Sequence, residues 1–242
     1  MSSVIEYSSF LPESSIVEFC VIDGPVKIGG NSLFSHCKIN ARLLPEGGHL
    51  PEDLIVHTIA VDLDGRDADG EDDHGDDYGD DHGDNFDVDF SVSGRKLRES
   101  VVGRVAYVTV AFRVDDDIKG SRDRVEDLTY FGRRLIDDDD NDDDDPEDDV
   151  STSGRGPRRR PSNNFSLWNC PLFSAKASME ESFAETIKLV AECLEGGLRP
   201  PMKMRRRNYS VEDAVNLKHV DAMLDFRSEI SRDVLTKTGC LF

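Results

Sequence analysis

Large apolar side chains recur at every sixth position near the start of the chain. Small, polar and turn-forming residues fill the intervals, and this pattern does not fit an amphipathic helix, whose apolar positions recur about every 3.6 residues. A period of six is typical of a parallel β-helix built from hexapeptides, in which each face of the coil places one large side chain inside. The repeated positions are Val4, Phe10, Ile16, Ile22, Ile28 and Phe34, and Asn40 ends the series.

The repeat is short for a β-helix. Six positions make about two turns of a three-sided coil, whereas repeat stacks become stable with about three or more repeats and protected ends. Because the series starts at Val4, we expect the first coil to expose a sheet edge. We therefore expect this segment to be the end of a longer β-helix, and the exposed end to pair with a second copy of the chain or with another partner.

Two longer apolar segments follow and predict strands. They are residues 50–61 and residues 101–114. In the second segment, apolar residues occupy both alternating sets of positions, which indicates a strand buried on both faces.

The last third of the chain has the apolar spacing of helices. Ser178 is placed to cap the first helix, with Glu181 completing a capping box, and Gly196-Gly197 is placed to end it. The apolar stripe of this helix is Met179, Phe183, Ile187, Val190 and Leu194.

Two further helices are predicted after a basic loop. Ser210 is placed to cap the second helix through Asp213, and residues 221–235 form the third. Their expected inward positions are Val211, Ala214 and Leu217 in the second helix and Leu224, Ile230 and Val234 in the third.

The negative charge is concentrated in two tracts. The formal net charge is −21; residues 62–89 hold 14 acidic side chains and one basic one, and residues 137–149 hold 11 acidic side chains and no basic one. The rest of the chain carries a net charge of +3. Such dense like charge with few aliphatic residues predicts that both tracts are disordered.

Charge and cysteine content exclude several classes of protein. An acidic chain is a poor partner for nucleic acid or for an anionic membrane, and the sequence has neither an apolar run of the roughly 20 residues that span a bilayer nor a signal peptide. Its five cysteines are irregularly spaced, without a CxxC motif, as expected for reduced thiols. We therefore expect a cytoplasmic protein without nucleic-acid or membrane partners.

The sequence contains no catalytic motif. It lacks the glycine-rich phosphate loops GxGxxG and GxxxxGK[ST], the GxSxG elbow and HExxH, and no start in the first acidic tract satisfies an EF-hand calcium loop. His36 lacks an obvious orienting acid, so we expect a corner or solvent-facing histidine rather than a general base. The basic residues Lys203 and 205–207 are expected to form a solvated loop rather than a phosphate contact. We assign no catalytic, cofactor-binding or metal-binding residue and no cofactor.

Composition divides the chain into five segments. The fold class is mostly β with added α: a short left-handed parallel β-helix with following strands, two disordered acidic inserts and a helical cap. The segments are 1–61, the β-helix end and following strand; 62–90, the first acidic insert; 91–136, a closing strand region; 137–161, an acidic and basic disordered linker; and 162–242, the C-terminal helical cap.

Five stretches together resemble the C-terminal region of GDP-L-fucose pyrophosphorylase (fucose-1-phosphate guanylyltransferase), a family that shares this region with the bifunctional L-fucokinase enzymes. The hexapeptide stretch is generic among sugar nucleotidyltransferases, whereas the stretches from residue 166 onward are more specific. The stretches are SIVEFCVIDGPVKIGGNSLFS (15–35), YVTVAFRVDD (107–116), SLWNCPLF (166–173), YSVEDA (209–214) and DAMLDFRSEI (221–230).

The resemblance implies transfer of a guanylyl group from GTP to β-L-fucose 1-phosphate, with GTP and Mg²⁺ as ligands of the full-length enzymes. In the family, the catalytic domain with the phosphate loop precedes the β-helix, so we expect this chain to lack that domain and to be inactive alone. Trp168 is interpreted as an anchor between helices and sheet, and Asp213, Asp221 and Arg227 as helix caps and surface partners. Two alternatives stay open: a non-enzymatic β-helix module that binds a partner or oligomerises, and an acidic cation-binding protein.

Overall fold

A computed structural model describes residues 3–6, 8–63, 105–137, 164–195, 202–204 and 208–238. It shows an α/β arrangement of mixed sheets with helices in the C-terminal part. The predictions for most of the two acidic tracts, for Gly196-Gly197 and for residues 205–207 lie outside the described residues.

The strands of the described residues are mostly short. The strands are β1 Val4–Ile5, β2 Ile16–Glu18, β3 Val21–Asp23, β4 Leu33–Ser35, β5 Lys38–Asn40, β6 Leu54–Asp62, β7 Val105–Arg113, β8 Thr129–Tyr130, β9 Arg133–Asp137, β10 Ala175–Lys176 and β11 Met202–Met204. The helices are α1 Met179–Leu194, α2 Val211–Asn216 and α3 Val220–Thr238. The strands form sheets in the orders β1-β3-β5, β10-β7-β6-β4-β2 and β11-β9-β8.

Parallel pairing links successive turns of the N-terminal repeat in three places. Strands β1, β3 and β5 pair in parallel, as do β2, β4 and β6. Single parallel bridges join Phe10 to Lys27 and Lys27 to His49. Val4 lies opposite Val21, and Val21 opposite Lys38, so this ladder repeats every 17 residues.

The offset of 17 corrects the uninterrupted six-residue series. Aligned residues of parallel strands share a face, so a shift of one residue moves a side chain to the opposite face. Phe34 is buried and lies opposite Val17, whereas Ile16 is 53% exposed and Phe10 is 57% exposed. The prediction that Phe10 and Ile16 point inward is therefore wrong. In the next turn Ile39, opposite Ile22, takes the buried position, which explains why Asn40 ended the series.

Strands β6 and β7 form the longest ladder. They pair antiparallel from Leu54 opposite Arg113 to Asp62 opposite Val105. Their side chains are buried on both faces over most of this length, as expected for the second strand, and the ladder joins the parallel strands to β10. The two predicted strands are confirmed with slightly shorter bounds.

Helix α1 packs its predicted stripe onto this sheet. The Ser178 hydroxyl accepts a hydrogen bond from the Glu181 N–H, which confirms Ser178 as the N-cap. Phe183 lies 6.2 Å from Phe34 between ring centroids. Leu194 is 43% exposed, so its predicted inward position is wrong, and the buried Cys193 takes its place. The other members of the stripe, Met179, Phe183, Ile187 and Val190, are buried.

Helices α2 and α3 follow. Ser210 and Asp213 form a reciprocal capping box at the start of α2, as predicted. In α3, Ile230 is buried as expected, but Leu224 is 50% exposed. The buried positions that the spacing missed on α3 are Met223 and Phe226. Among the described residues, no helix combines the length and apolar character needed to cross a membrane.

Candidate functional site

A row of polar side chains crosses the outer face of the parallel strands. Glu18 of β2 lies opposite Ser35 of β4, which lies opposite His57 of β6. His36 follows Ser35 at a corner with a φ of 56°, and Phe19 occupies the same corner one turn earlier with a φ of 49°. Non-glycine residues rarely adopt positive φ, so the turn itself aims these two rings at one side of the coil.

The rings form a short stack. The centroids of Phe19 and His36 are 5.1 Å apart, and those of His36 and His57 are also 5.1 Å apart. His36 is only 3% exposed. The prediction of a corner histidine is confirmed, but His36 does not face solvent.

The segment before α3 brings the C-terminal helix to this stack. The Asp62 N–H donates to the Leu217 carbonyl and the His219 N–H donates to the Ala60 carbonyl, each at 2.8 Å, so residues 217–219 pair with the edge of β6. The Ala222 N–H donates to Nδ1 of His219 at 3.1 Å in the first turn of α3. These contacts fix the path of the helix that carries Arg227.

A directional chain of hydrogen bonds runs from α3 into the sheet. Arg227 Nε donates to His36 Nε2 at 2.6 Å. Because arginine has no acceptor, Nε2 must accept and the His36 proton sits on Nδ1, 2.8 Å from Ser35 Oγ. The Ser35 hydroxyl then donates to Glu18 Oε1 at 2.9 Å. Glu18 therefore orients His36 through Ser35, a link that the sequence distance between these residues concealed.

The surrounding charges keep both histidines neutral. Burial is the main cause that lowers the pKa of His36 to about 4, and the positive charges of His57, Arg227 and Lys218 lower it further. Burial also lowers the pKa of His57 to about 4, together with Lys218 and Arg227, against an opposing effect of the Glu18 carboxylate. We call this set the His36 cluster; its members are Glu18, Phe19, Ser35, His36, His57, Lys218 and Arg227.

The bonding directions argue against nucleophilic catalysis in the His36 cluster. An activated serine donates its proton to a histidine nitrogen. Here the Ser35 hydroxyl donates to Glu18 and accepts from His36, and both nitrogens of His36 have partners. The His36 cluster is therefore built to hold Arg227 and to present positive charge, not to abstract a proton.

A second concave feature lies between β5, α1 and α3. This cleft has a volume of about 360 Å³. Lys38 Nζ lies 3.9 Å from a carboxylate oxygen of Glu229 and 5.4 Å from the centroid of the Phe226 ring. Burial, followed by the charges of Glu180 and Glu229, raises the pKa of the Tyr107 hydroxyl. Because the Lys38 ammonium already has these partners, the cleft lacks an unpaired functional group.

The remaining residues that the sequence singled out have structural surroundings. Trp168 is half-buried against the core, and its carbonyl accepts from the Glu212 N–H of α2 at 3.0 Å. Lys119 Nζ lies 4.9 Å from the centroid of the Trp168 ring. Asp221 is exposed in the first turn of α3, and Lys203 lies in β11. No group of three or more metal-ligating side chains is gathered within the described ranges.

Comparison with known proteins identifies the family. A family model, the fucose pyrophosphorylase domain, matches residues 1–178. The chain belongs to the fucose pyrophosphorylase family. No curated protein and no solved structure matches it. The match contains Glu18, Ser35, His36 and His57 but ends before α1, so Arg227 and Lys218 lie beyond the matched residues.

Proposed function

We propose that this chain serves the guanylyltransferase reaction of its family, in which GTP and β-L-fucose 1-phosphate give GDP-L-fucose and diphosphate. The observation that carries this proposal is the family match, which covers residues 1–178 of the 242 in the chain. The order of the five sequence stretches along the chain supports the same assignment.

Within that reaction, we propose that the chain supplies a scaffold and is inactive by itself. Nucleotidyl transfer needs donors that cradle the phosphates and acidic side chains that hold Mg²⁺. The sequence has no glycine-rich phosphate loop. The polar groups of the His36 cluster are bonded to one another rather than directed at a reacting atom. GTP and Mg²⁺ would then bind to a nucleotide-binding domain outside these residues.

The scaffold that we propose is a short left-handed parallel β-helix with a helical cap. The parallel ladders at β1-β3-β5 and β2-β4-β6, together with the Phe10, Lys27 and His49 bridges, support three faces per turn. Burial of Ile22, Ile28 and Phe34 supports one inward side chain on each face. Strands β6 and β7 and helix α1 would then close the coil.

The family function is tested by removing the gene in the source organism and measuring GDP-L-fucose in extracts. We expect the GDP-L-fucose pool to fall and to recover when the full chain is restored on a plasmid. A pool that is unchanged by the deletion would overturn the proposed function.

The first coil supports a second proposal, pairing with another copy of this chain. Phe10 is 57% exposed, Ile16 53% and Ile5 39%, and β1 and β2 are edge strands of their sheets. Exposed apolar side chains beside an unpaired strand edge favour association. Sedimentation of the full chain should show a dimer that Phe10→Ser together with Ile16→Ser converts to monomer. Val114→Ser, at another exposed apolar residue, should leave the dimer intact; a monomeric parent chain would refute the pairing.

A further inference from the structure

We propose that Arg227 and Lys218 form a binding site for a phosphate group at the edge of the His36 cluster. This site goes beyond the proposed function, because it requires neither GTP turnover nor a catalytic domain. The argument rests on how the Arg227 guanidinium is held, on the charges around it and on the neutral acceptor that it contacts.

The Arg227 guanidinium is oriented by two contacts that leave its outer edge open. Its Nε donates to His36 Nε2 at 2.6 Å, and its Cζ lies 4.6 Å from the centroid of the Phe19 ring. These contacts fix the plane of the group. The two terminal nitrogens make no hydrogen bond to any described residue. Paired terminal nitrogens of arginine match the spacing of two oxygens of a phosphate.

The positive charge of Arg227 lacks a compensating carboxylate. Its hydrogen-bond partner His36 is neutral, and among the described residues no carboxylate oxygen lies within 4.0 Å of Arg227 or Lys218. The residues one turn away from Arg227 on α3 are all uncharged; they are Met223, Leu224, Ile230 and Ser231.

Glu18 does not cancel this charge. One of its carboxylate oxygens already accepts from Ser35, and its single negative charge faces the two positive charges of Arg227 and Lys218. The His36 cluster therefore carries one positive charge in excess. Both cations act on the same two histidine rings, which lie 5.1 Å apart.

The chemistry of these groups favours a phosphate over a carboxylate. A guanidinium fork and an ammonium together supply several donors and two positive charges, which match the multiple oxygens and the double charge of a phosphate monoester. The source is either free phosphate or a small phosphate ester, and both would make the same contacts. Lys218 is exposed and Arg227 is partly exposed, so a solute has access to both.

The test follows the histidine ring signals of the full chain by NMR during titration. The probes are inorganic phosphate, glycerol phosphate and, at the same ionic strength, acetate and chloride. We expect saturable shifts of His36 and His57 with the two phosphate probes and none at His49, which lies on another face of the repeat. Tighter binding of glycerol phosphate would identify an ester site, and equal binding a site for the phosphate group alone; both support the proposal.

Variants separate a built site from general charge screening. Lys218→Gln should weaken phosphate binding by about tenfold, the loss of one charge-assisted contact. Arg232→Gln removes an exposed positive charge from the same helix and should leave the affinity unchanged. Arg227→Lys keeps the charge but loses the fork, and should also weaken binding. No saturable shift, an equal response to acetate and chloride, or equal weakening by Lys218→Gln and Arg232→Gln would overturn the proposal.

Discussion

Arg227 of α3 donates its Nε hydrogen to Nε2 of His36, a residue 191 positions earlier in the chain. The contact ties the C-terminal helix to a corner of the N-terminal repeat. It also fixes the tautomer of His36 and so the direction of the hydrogen bonds that continue to Ser35 and Glu18. One arginine thereby connects the matched family domain to a helix that lies beyond it.

Replacing Arg227 with glutamine should destabilise the fold. The change removes a charge-assisted hydrogen bond and the stacking on Phe19, and it leaves Nε2 of the buried His36 without a donor. We expect a loss of about 1–3 kcal/mol in the free energy of unfolding, measured by urea denaturation. Arg232→Gln should change it by less than about 0.5 kcal/mol. Equal stability of the two variants would show that Arg227 does not hold α3.

Stability should fall as the pH drops below about 6.5. His36 and His57 each have a pKa of about 4 in the folded chain, against about 6.5 when unfolded. Between these values the unfolded chain binds protons that the folded chain does not, so acid favours unfolding. This contribution is fully present above pH 6.5 and is lost progressively down to about pH 4.

Urea denaturation at several pH values measures this effect. Carboxylates of the chain add their own pH dependence, so the informative quantity is the difference between the parent and the double variant His36→Gln, His57→Gln. The parent should lose more stability than the variant between pH 6.5 and pH 4.5. Parallel pH profiles for the two proteins would contradict neutral histidines in the His36 cluster.

The offset of 17 residues predicts opposite outcomes for two isoleucines of the repeat. Ile28 is 1% exposed and Ile16 is 53% exposed, although both belong to the six-residue series. Ile28→Ala should lower the free energy of unfolding by about 2–5 kcal/mol because it leaves a cavity. Ile16→Ala should change it by no more than about 0.5 kcal/mol. Similar losses for both variants would restore the uninterrupted series.

Two adjacent glycines should also differ. A Cβ on Gly29 would collide with the Pro51 carbonyl of the next turn, which is backbone and cannot move aside, whereas a Cβ on Gly30 meets only Ser14 Oγ at 3.4 Å. Gly29→Ala should therefore lower the melting temperature strongly, while Gly30→Ala leaves it nearly unchanged. A thermal melt of both variants decides the matter, and a tolerated Gly29→Ala would refute this close approach.

The sequence predicted the elements better than their register. Apolar spacing located α1 through α3 and the two long strands, because burial of a helix stripe or a sheet face leaves a periodic trace. The shift between 17 and 18 residues per turn leaves no such trace at Phe10 and Ile16, since apolar residues stand at both the inward and the outward positions of the first turn. Backbone pairing with the second turn decides which face each side chain takes.

The His36 cluster was not predictable from local pattern. His36 met its partners through the corner that aims its ring and through α3, which returns from the far end of the chain. Arg227 was expected to be a surface partner on its helix, and nothing in its spacing pointed to a histidine of the repeat. Its residue type carried the only signal, because an arginine with no acid one turn away needs another partner.

The central claim is that this member of the fucose pyrophosphorylase family contributes a scaffold to guanylyl transfer without performing the reaction alone. The most direct test is diphosphate release by the purified full chain supplied with GTP, Mg²⁺ and β-L-fucose 1-phosphate. A reaction without fucose 1-phosphate corrects for contaminating nucleotide hydrolysis. We predict that the two reactions release diphosphate at the same background rate. Release that depends on fucose 1-phosphate and rises with chain concentration, with GDP-L-fucose as the second product, would contradict the claim.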